Sequence, residues 1–301
     1  MTATMTYTYL KPDPRSMRRL APGQDDRPYT MFDIRPLTPV IGAEIAGIDL
    51  RTPLTSELHA EIHRALLEWK VVFFRDQHLT SEGQSRFALN WGAVDVHPFY
   101  PPAGADHVVR FARGAELTSI GRENTWHTDV TFFERPSMAA ILRAVEVPAF
   151  GGDTLFADMG VAYDLLADDV KERIDGLEAE HEWDHIFGAR LDPQVRAKRL
   201  EEFPVVRHPV VRVHPETGRK MIYVNRPFTR RIVGLDQHES DQLLDILYRQ
   251  ADLPEVQCRF HWTNGALAFW DNRAVQHYAA SDYFPAARVM DRVSIADPVR
   301  P

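Results

Sequence analysis

The sequence predicts a mainly β fold with peripheral helices. Short apolar runs such as Val71-Val72-Phe73-Phe74 recur between Gly, Pro and charged residues, at strand rather than helix length. No Gly-rich fingerprint follows the first strand-like run and no long alternation of strand and helix patterns is present, which argues against a doubly wound parallel sheet. No repeat period and no long linker divides the chain, so a closed or sandwich-like β domain is expected over 31–301.

The elements follow in order. Residues 1–30 scatter Pro12, Pro14, Pro22, Gly23 and Pro28 and are expected to form a partly disordered arm, with Tyr7, Tyr9 and Leu10 available to pin its start. PLTPVIGAEIAGIDL alternates apolar residues around Gly42 and Gly47, as short strands with a tight turn do. Thr55 or Ser56 can cap a helix whose Leu58, Ile62, Ala65, Leu66 and Trp69 share a face. Val71–Phe74 is a buried strand. Ser81 with Gln84 matches a capping box for a helix ending at Gly92. DLLADDVKERIDGL presents Leu166, Val170, Ile174 and Leu177 on one helical face. VVRVHPETGRKMIYV predicts a hairpin turning at Pro215 to Gly218. Asp236 and Glu239 open a further helix, and GALAFWDNRAVQHYA and ARVMDRVSIAD close the chain as strand-like runs.

Charge narrows the function. With 35 basic against 43 acidic residues the net charge is −8, which works against nucleic acid or an anionic membrane as partner. A single cysteine, Cys258, excludes an internal disulfide and a cysteine-ligated zinc or iron–sulfur site. No apolar stretch approaches the roughly 18 residues of a membrane span, and a cytoplasmic location is expected.

Two histidine patterns compete. His181-Glu182-Trp183-Asp184-His185 satisfies H-E-x-x-H, and Gly188 extends it toward the longer zinc-protease pattern, but that pattern's third histidine falls on Leu191, which binds no metal. Glu201 or Glu202 would be remote substitutes; a polar segment beside the core is the other reading. His127-Thr128-Asp129 is quieter. Within a strand, residues two apart share a face, so imidazole and carboxylate can converge. One more imidazole makes a two-histidine, one-carboxylate iron site with open positions. His277 can supply it across a closed sheet, or it is a hydrogen-bonded core histidine, as His214 and His261 also are on their residues alone.

Trp126-His127-Thr128-Asp129-Val130-Thr131-Phe132, Gly151-Gly152-Asp153-Thr154 and Trp270-Asp271-Asn272-Arg273 through Gln276-His277-Tyr278 stand in one order over roughly Asp33 to Asp297. This text resembles the taurine/2,4-dichlorophenoxyacetate (TauD/TfdA) dioxygenase family. The resemblance implies a double-stranded β-helix, or jelly roll, with Fe(II) on His127, Asp129 and His277 as the catalytic centre. It also implies 2-oxoglutarate as cosubstrate, with Arg288 on its distal carboxylate and Thr154 donating to it. By the same resemblance, Arg292 and His97 would hold a substrate sulfonate, and Tyr100, Val130 and Phe187 would line its pocket.

Glu123 stands where the taurine enzyme has an asparagine. A carboxylate there would attract an ammonium group and so slightly favours a zwitterionic sulfonate, or it simply faces solvent; the resemblance makes a small sulfonate, taurine, the expected substrate, yielding sulfite, an aldehyde, succinate and carbon dioxide. An alkyl sulfate is the alternative, because VVRVHPETG resembles that branch. A jelly-roll binding or scaffold protein is the non-enzymatic alternative. The family habit also implies a homodimer or tetramer.

Overall fold

The computed structural model describes residues 17–21, 23–100, 107–114 and 123–301. Tyr7, Tyr9, Leu10, Pro12, Pro14 and Pro22 lie outside them. The described part of the arm is held to the body: Arg19 pairs with Glu68 at 2.7 Å, Tyr29 donates to the same carboxylate at 2.6 Å, and the buried Lys70 ammonium donates to the Arg19 carbonyl at 2.6 Å.

Eight strands form the main sheet. Along one path they run Asp33–Pro36, Ala43–Ala46, Val71–Phe74, Leu267–Asp271, Ala139–Glu146, Arg288–Ile295 and Val94–Asp95, and Val109–Arg113 pairs with Arg288–Ile295 off that path. All these pairings are antiparallel except Ala43–Ala46 with Val71–Phe74. A second sheet orders Gln257–Phe260, Thr154–Asp158 and Val275–Ala279.

Val71-Val72-Phe73-Phe74 is apolar throughout because both of its faces are covered. Val71 and Phe73 face the second sheet, where Phe73 stacks on Phe260 at 4.0 Å. Val72 and Phe74 join Ile62, Leu66 and Trp69 of helix Ser56–Trp69 and Phe87 of helix Ser81–Ala88 on the opposite face. Full burial of one such side chain stabilises by roughly 1.5–3 kcal/mol.

The expected turns hold. Gly42 has φ +81°, and a Cβ there would lie 2.6 Å from the Cys258 sulfur, so the first turn requires glycine. Val211–Val213 pairs with Lys220–Ile222, with the Gly218 amide returned to the His214 carbonyl.

Helix boundaries need correction. Thr80, not Ser81, caps the second helix, accepting from the Gly83 amide, and that helix ends at Ala88 rather than Gly92. Gln84 is not a capping residue. It is fully buried, donating to the Ile141 and Asp291 carbonyls and accepting from Arg143. The expected helix over 164–177 is two, Met159–Asp164 and Asp168–Ile174, because Asp158 caps an earlier start through the Gly160 and Val161 amides. Pro193–Glu202, which shows no apolar period in the sequence, is a helix capped by Asp192 with proline in its first turn. It buries none of its residues and so carries no apolar period. Among the described residues no helix is long and apolar enough to cross a membrane.

Candidate functional site

His277 lies in the strand Val275–Ala279, and His127 joins it through an isolated antiparallel bridge. The His127 amide donates to the His277 carbonyl at 3.0 Å, and the reverse bond is 2.8 Å. His127 is therefore not in a regular strand, as the two-residue spacing suggested. The chain turns immediately after it, and Val130 has φ +50°, a strained backbone for a β-branched residue. Asn272 holds that turn: its Oδ1 accepts from the Asp129 amide at 2.9 Å, and its Nδ2 donates to the Asp129 and Ser137 carbonyls. Thr128 donates to the Val275 carbonyl at 3.0 Å.

This framework brings His127, Asp129 and His277 together, all buried, with one ligand atom from each within 4.8 Å of the others. His127 Nδ1 faces the Thr125 carbonyl at 2.7 Å, and a carbonyl only accepts. Nδ1 therefore carries a hydrogen, and Nε2 lies 3.8 Å from Asp129 Oδ1. His277 Nε2 is 3.9 Å from Asp129 Oδ2. Burial pushes the His277 pKa well below the ordinary histidine value, leaving a neutral imidazole. Burial opposes ionisation of Asp129, but opposing charge, led by the Arg292 guanidinium beside it, outweighs this and brings its pKa to about 2. Asp129 Oδ2 is buried without a hydrogen-bond partner. An unpaired carboxylate oxygen beside two imidazoles is a donor set that fits a divalent transition metal.

Two pockets open from these groups. The larger, about 450 Å³, is lined by His127, Thr154, His277, Arg288 and Arg292 among otherwise mostly apolar walls that include Phe111, Leu142 and Met290. Arg288 and Arg292 share a strand face with Met290 between them. Arg288 is buried and donates to the Gly152 carbonyl at 2.9 Å and toward Thr154 Oγ1 at 3.4 Å. Burial lowers its pKa, and no carboxylate is paired with it among the described residues. Thr154 Oγ1 also accepts from Trp262 at 2.9 Å.

The smaller pocket, about 60 Å³, gathers His97, Tyr100, Glu123, Asp129, Val130, Phe187 and Arg292, all singled out from sequence. His97 Nδ1 accepts from the Phe99 amide at 3.2 Å, so the neutral ring carries its hydrogen on Nε2. Burial first, then Arg292, push its pKa down to about 3. Glu123 is tied to Arg113 at 3.0 Å.

Arg292 donates to Asp129 Oδ1 at 2.8 Å. Its carboxylate partner is thus the candidate metal ligand rather than Asp291, which points to the opposite strand face and pairs with Arg110 and Arg143. Sequence reasoning missed Phe228 and Arg190 in the smaller pocket and Trp262 behind Thr154. None carries a local sequence signal.

The H-E-x-x-H residues do not converge. His181 ends the strand Glu178–His181, buried with Nδ1 on Thr131 at 3.0 Å, while His185 pairs with Glu182 at 2.5 Å. Among the described residues, His127, Asp129 and His277 are the only grouping with metal-ligand geometry.

The chain is similar to known proteins. Residues 33–294 match the model of the taurine catabolism dioxygenase TauD, TfdA family. An alkylsulfatase of Acinetobacter baylyi is 39% identical over 90% of this chain and 87% of its own length. An alpha-ketoglutarate-dependent sulfate ester dioxygenase of Pseudomonas putida is 37% identical over 89% of this chain and 90% of its own. The crystal structure of a taurine dioxygenase from Burkholderia xenovorans superposes with TM-score 0.77 at 36% identity, covering 90% of this chain and 93% of that one. The chain belongs to the TauD/TfdA family and is an alpha-ketoglutarate-dependent dioxygenase.

Proposed function

We propose that the protein oxygenates the carbon bearing the sulfate oxygen of a small alkyl sulfate, consuming dioxygen and 2-oxoglutarate and giving an aldehyde, inorganic sulfate, succinate and carbon dioxide. The observation that carries the reaction type is the buried trio with its unpaired Asp129 oxygen, set between two pockets that share Arg292, with Arg288 in the larger. His127, Asp129 and His277 would hold Fe(II), which when bound activates dioxygen as 2-oxoglutarate is oxidatively decarboxylated.

The chain's own residues do the positioning. Arg288 offers a fork to the distal carboxylate of 2-oxoglutarate, with Thr154 beside it, and Gly152 anchors the guanidinium from behind. Arg292 and the Nε2 hydrogen of His97 meet the substrate's sulfo group, while Tyr100, Val130 and Phe187 exclude water around it.

Taurine was favoured by Glu123 as a partner for an ammonium group, but Glu123 is paired with Arg113 and offers little net charge. The apolar lining of the smaller pocket, Phe111, Val130, Ile186, Phe187 and Phe228, favours an alkyl chain instead. The relatives named for sulfate esters support the same ranking. A sulfonate remains the second reading, supported by the resemblance to the Burkholderia enzyme and by the shared anionic head. The test is competition between hexyl sulfate and taurine under air with Fe(II), ascorbate and 2-oxoglutarate. Sulfate formed faster than sulfite supports the proposal, and the reverse order returns taurine to first place.

We read the two sheets as the faces of a double-stranded β-helix. The core shared by Val71, Phe73, Phe156 and Phe260 supports this. A single domain is supported by the presence of Asp33–Pro36 and Arg288–Ile295 in one sheet.

A further inference from the structure

We infer that Arg190 is a specificity-determining residue: it is the solvent-side donor to the substrate's sulfo group and selects a three-oxygen anion over a carboxylate. The inference rests on the substrate class proposed above. Arg190 ends the short 3-10 turn Gly188–Arg190, directly after the helix Asp184–Phe187 that supplies Phe187. Both line the 60 Å³ pocket with His97 and Arg292.

The charges around this turn are otherwise matched. Asp184 pairs with Arg196, Glu182 with His185 and Arg230, and Glu123 with Arg113. Arg292 has committed one nitrogen to Asp129. Arg190 is exposed and, among the described residues, has no hydrogen-bond or ion-pair partner. Among the described residues it is the pocket's uncommitted cation.

Geometry gives that charge a selective role. Arg292 is buried beside Asp129 and approaches from the inner wall, whereas Arg190 approaches from the solvent side. A sulfo group presents three equivalent oxygens around a tetrahedral centre and can accept from both sides at once. A planar carboxylate presents two oxygens in one plane, and a fork on one side satisfies both. The second arginine therefore adds more to a sulfate or sulfonate than to a carboxylate.

The test is direct binding, measured calorimetrically under anaerobic conditions with Fe(II) and 2-oxoglutarate present. Hexyl sulfate, hexanesulfonate and heptanoate are titrated into wild type, Arg190→Gln and Arg190→Lys. Arg190→Gln should weaken both sulfur anions about 10-fold and heptanoate less than about threefold, with 2-oxoglutarate affinity unchanged. Because the charge is exposed, the difference should shrink as salt rises. Arg190→Lys should recover part of the loss. If the sulfur anions bind wild type and Arg190→Gln equally, or if heptanoate weakens as much as they do, the inference is overturned while the proposed function stands. If neither sulfur anion binds wild type, the substrate class and the inference fall together.

Discussion

Arg288→Ala isolates the cosubstrate end of the site. The wild-type residue is 6% exposed, donates to the Gly152 carbonyl and makes a long contact to Thr154, and faces the 450 Å³ cavity. Burial outweighs the favourable charges of Glu123 and Asp153, so the protein bears a desolvation cost that an anionic ligand relieves. Removing it strips the distal carboxylate of 2-oxoglutarate of a charge-assisted fork. Loss of such a partner costs about 2–5 kcal/mol, or roughly 30- to several-thousand-fold in Kd. The unliganded protein should not lose stability in proportion, because the deleted charge has no carboxylate to orphan. The assay is an anaerobic titration of 2-oxoglutarate into the Fe(II)-loaded protein, alongside thermal unfolding without ligand. Arg288→Lys keeps the charge without the fork and should fall between. A 2-oxoglutarate Kd within threefold of wild type in Arg288→Ala would refute the assignment, as would a large loss of stability with unchanged binding.

Arg292→Ala should weaken alkyl sulfate binding, and because Arg292 also holds Asp129, it should lower Fe(II) affinity about 10-fold and make it more acid-sensitive. Metal titrations at pH 6 and 8 check this, and metal binding identical to wild type at both would contradict it. Gly152→Ala places a Cβ 3.0 Å from the Arg288 Cδ at a φ of +68°, so 2-oxoglutarate should bind several-fold more weakly at a strain cost of about 1–2 kcal/mol; the same titration reads it, and unchanged affinity would show that the guanidinium tolerates the shift. Burial lowers the His208 pKa to about 4, so as pH falls below the ordinary value near 6.5 the unfolded chain gains the proton first. Its contribution is therefore complete above about pH 6.5 and is lost progressively toward pH 4, amounting to about 1–3 kcal/mol. Urea unfolding of wild type and His208→Gln across that range should show a shallower acid loss in the variant.

Much of the site was legible because its residues sit in continuous text. His127 and Asp129 lie two residues apart and Arg288 and Arg292 lie on one face of one strand, and the family resemblance picked out all four together. Val71–Phe74 showed its double burial by being apolar at every position. What spacing could not carry was partner choice. Arg292 could pair with any carboxylate, and only the fold sets Asp129 in front of it while turning Asp291 away. Glu123 likewise looked free until Arg113 met it across the pocket. Gln84 matched a capping rule, but Thr80 took the cap and the amide was drawn inward by two carbonyls and Arg143. The helix Pro193–Glu202 buries nothing, so hydrophobic periodicity had nothing to register.

The most direct test of the account is an anaerobic spectroscopic titration of Fe(II)-loaded protein with 2-oxoglutarate. A site built from His127, Asp129 and His277 leaves three coordination positions, enough for a bidentate 2-oxo acid, and the chelate has a weak visible metal-to-ligand absorption. Wild type should develop that band to one equivalent, and His277→Ala and Asp129→Ala should not while remaining folded. A band of full intensity in both variants, or none in wild type at saturating metal and 2-oxoglutarate, would contradict the assignment of the centre.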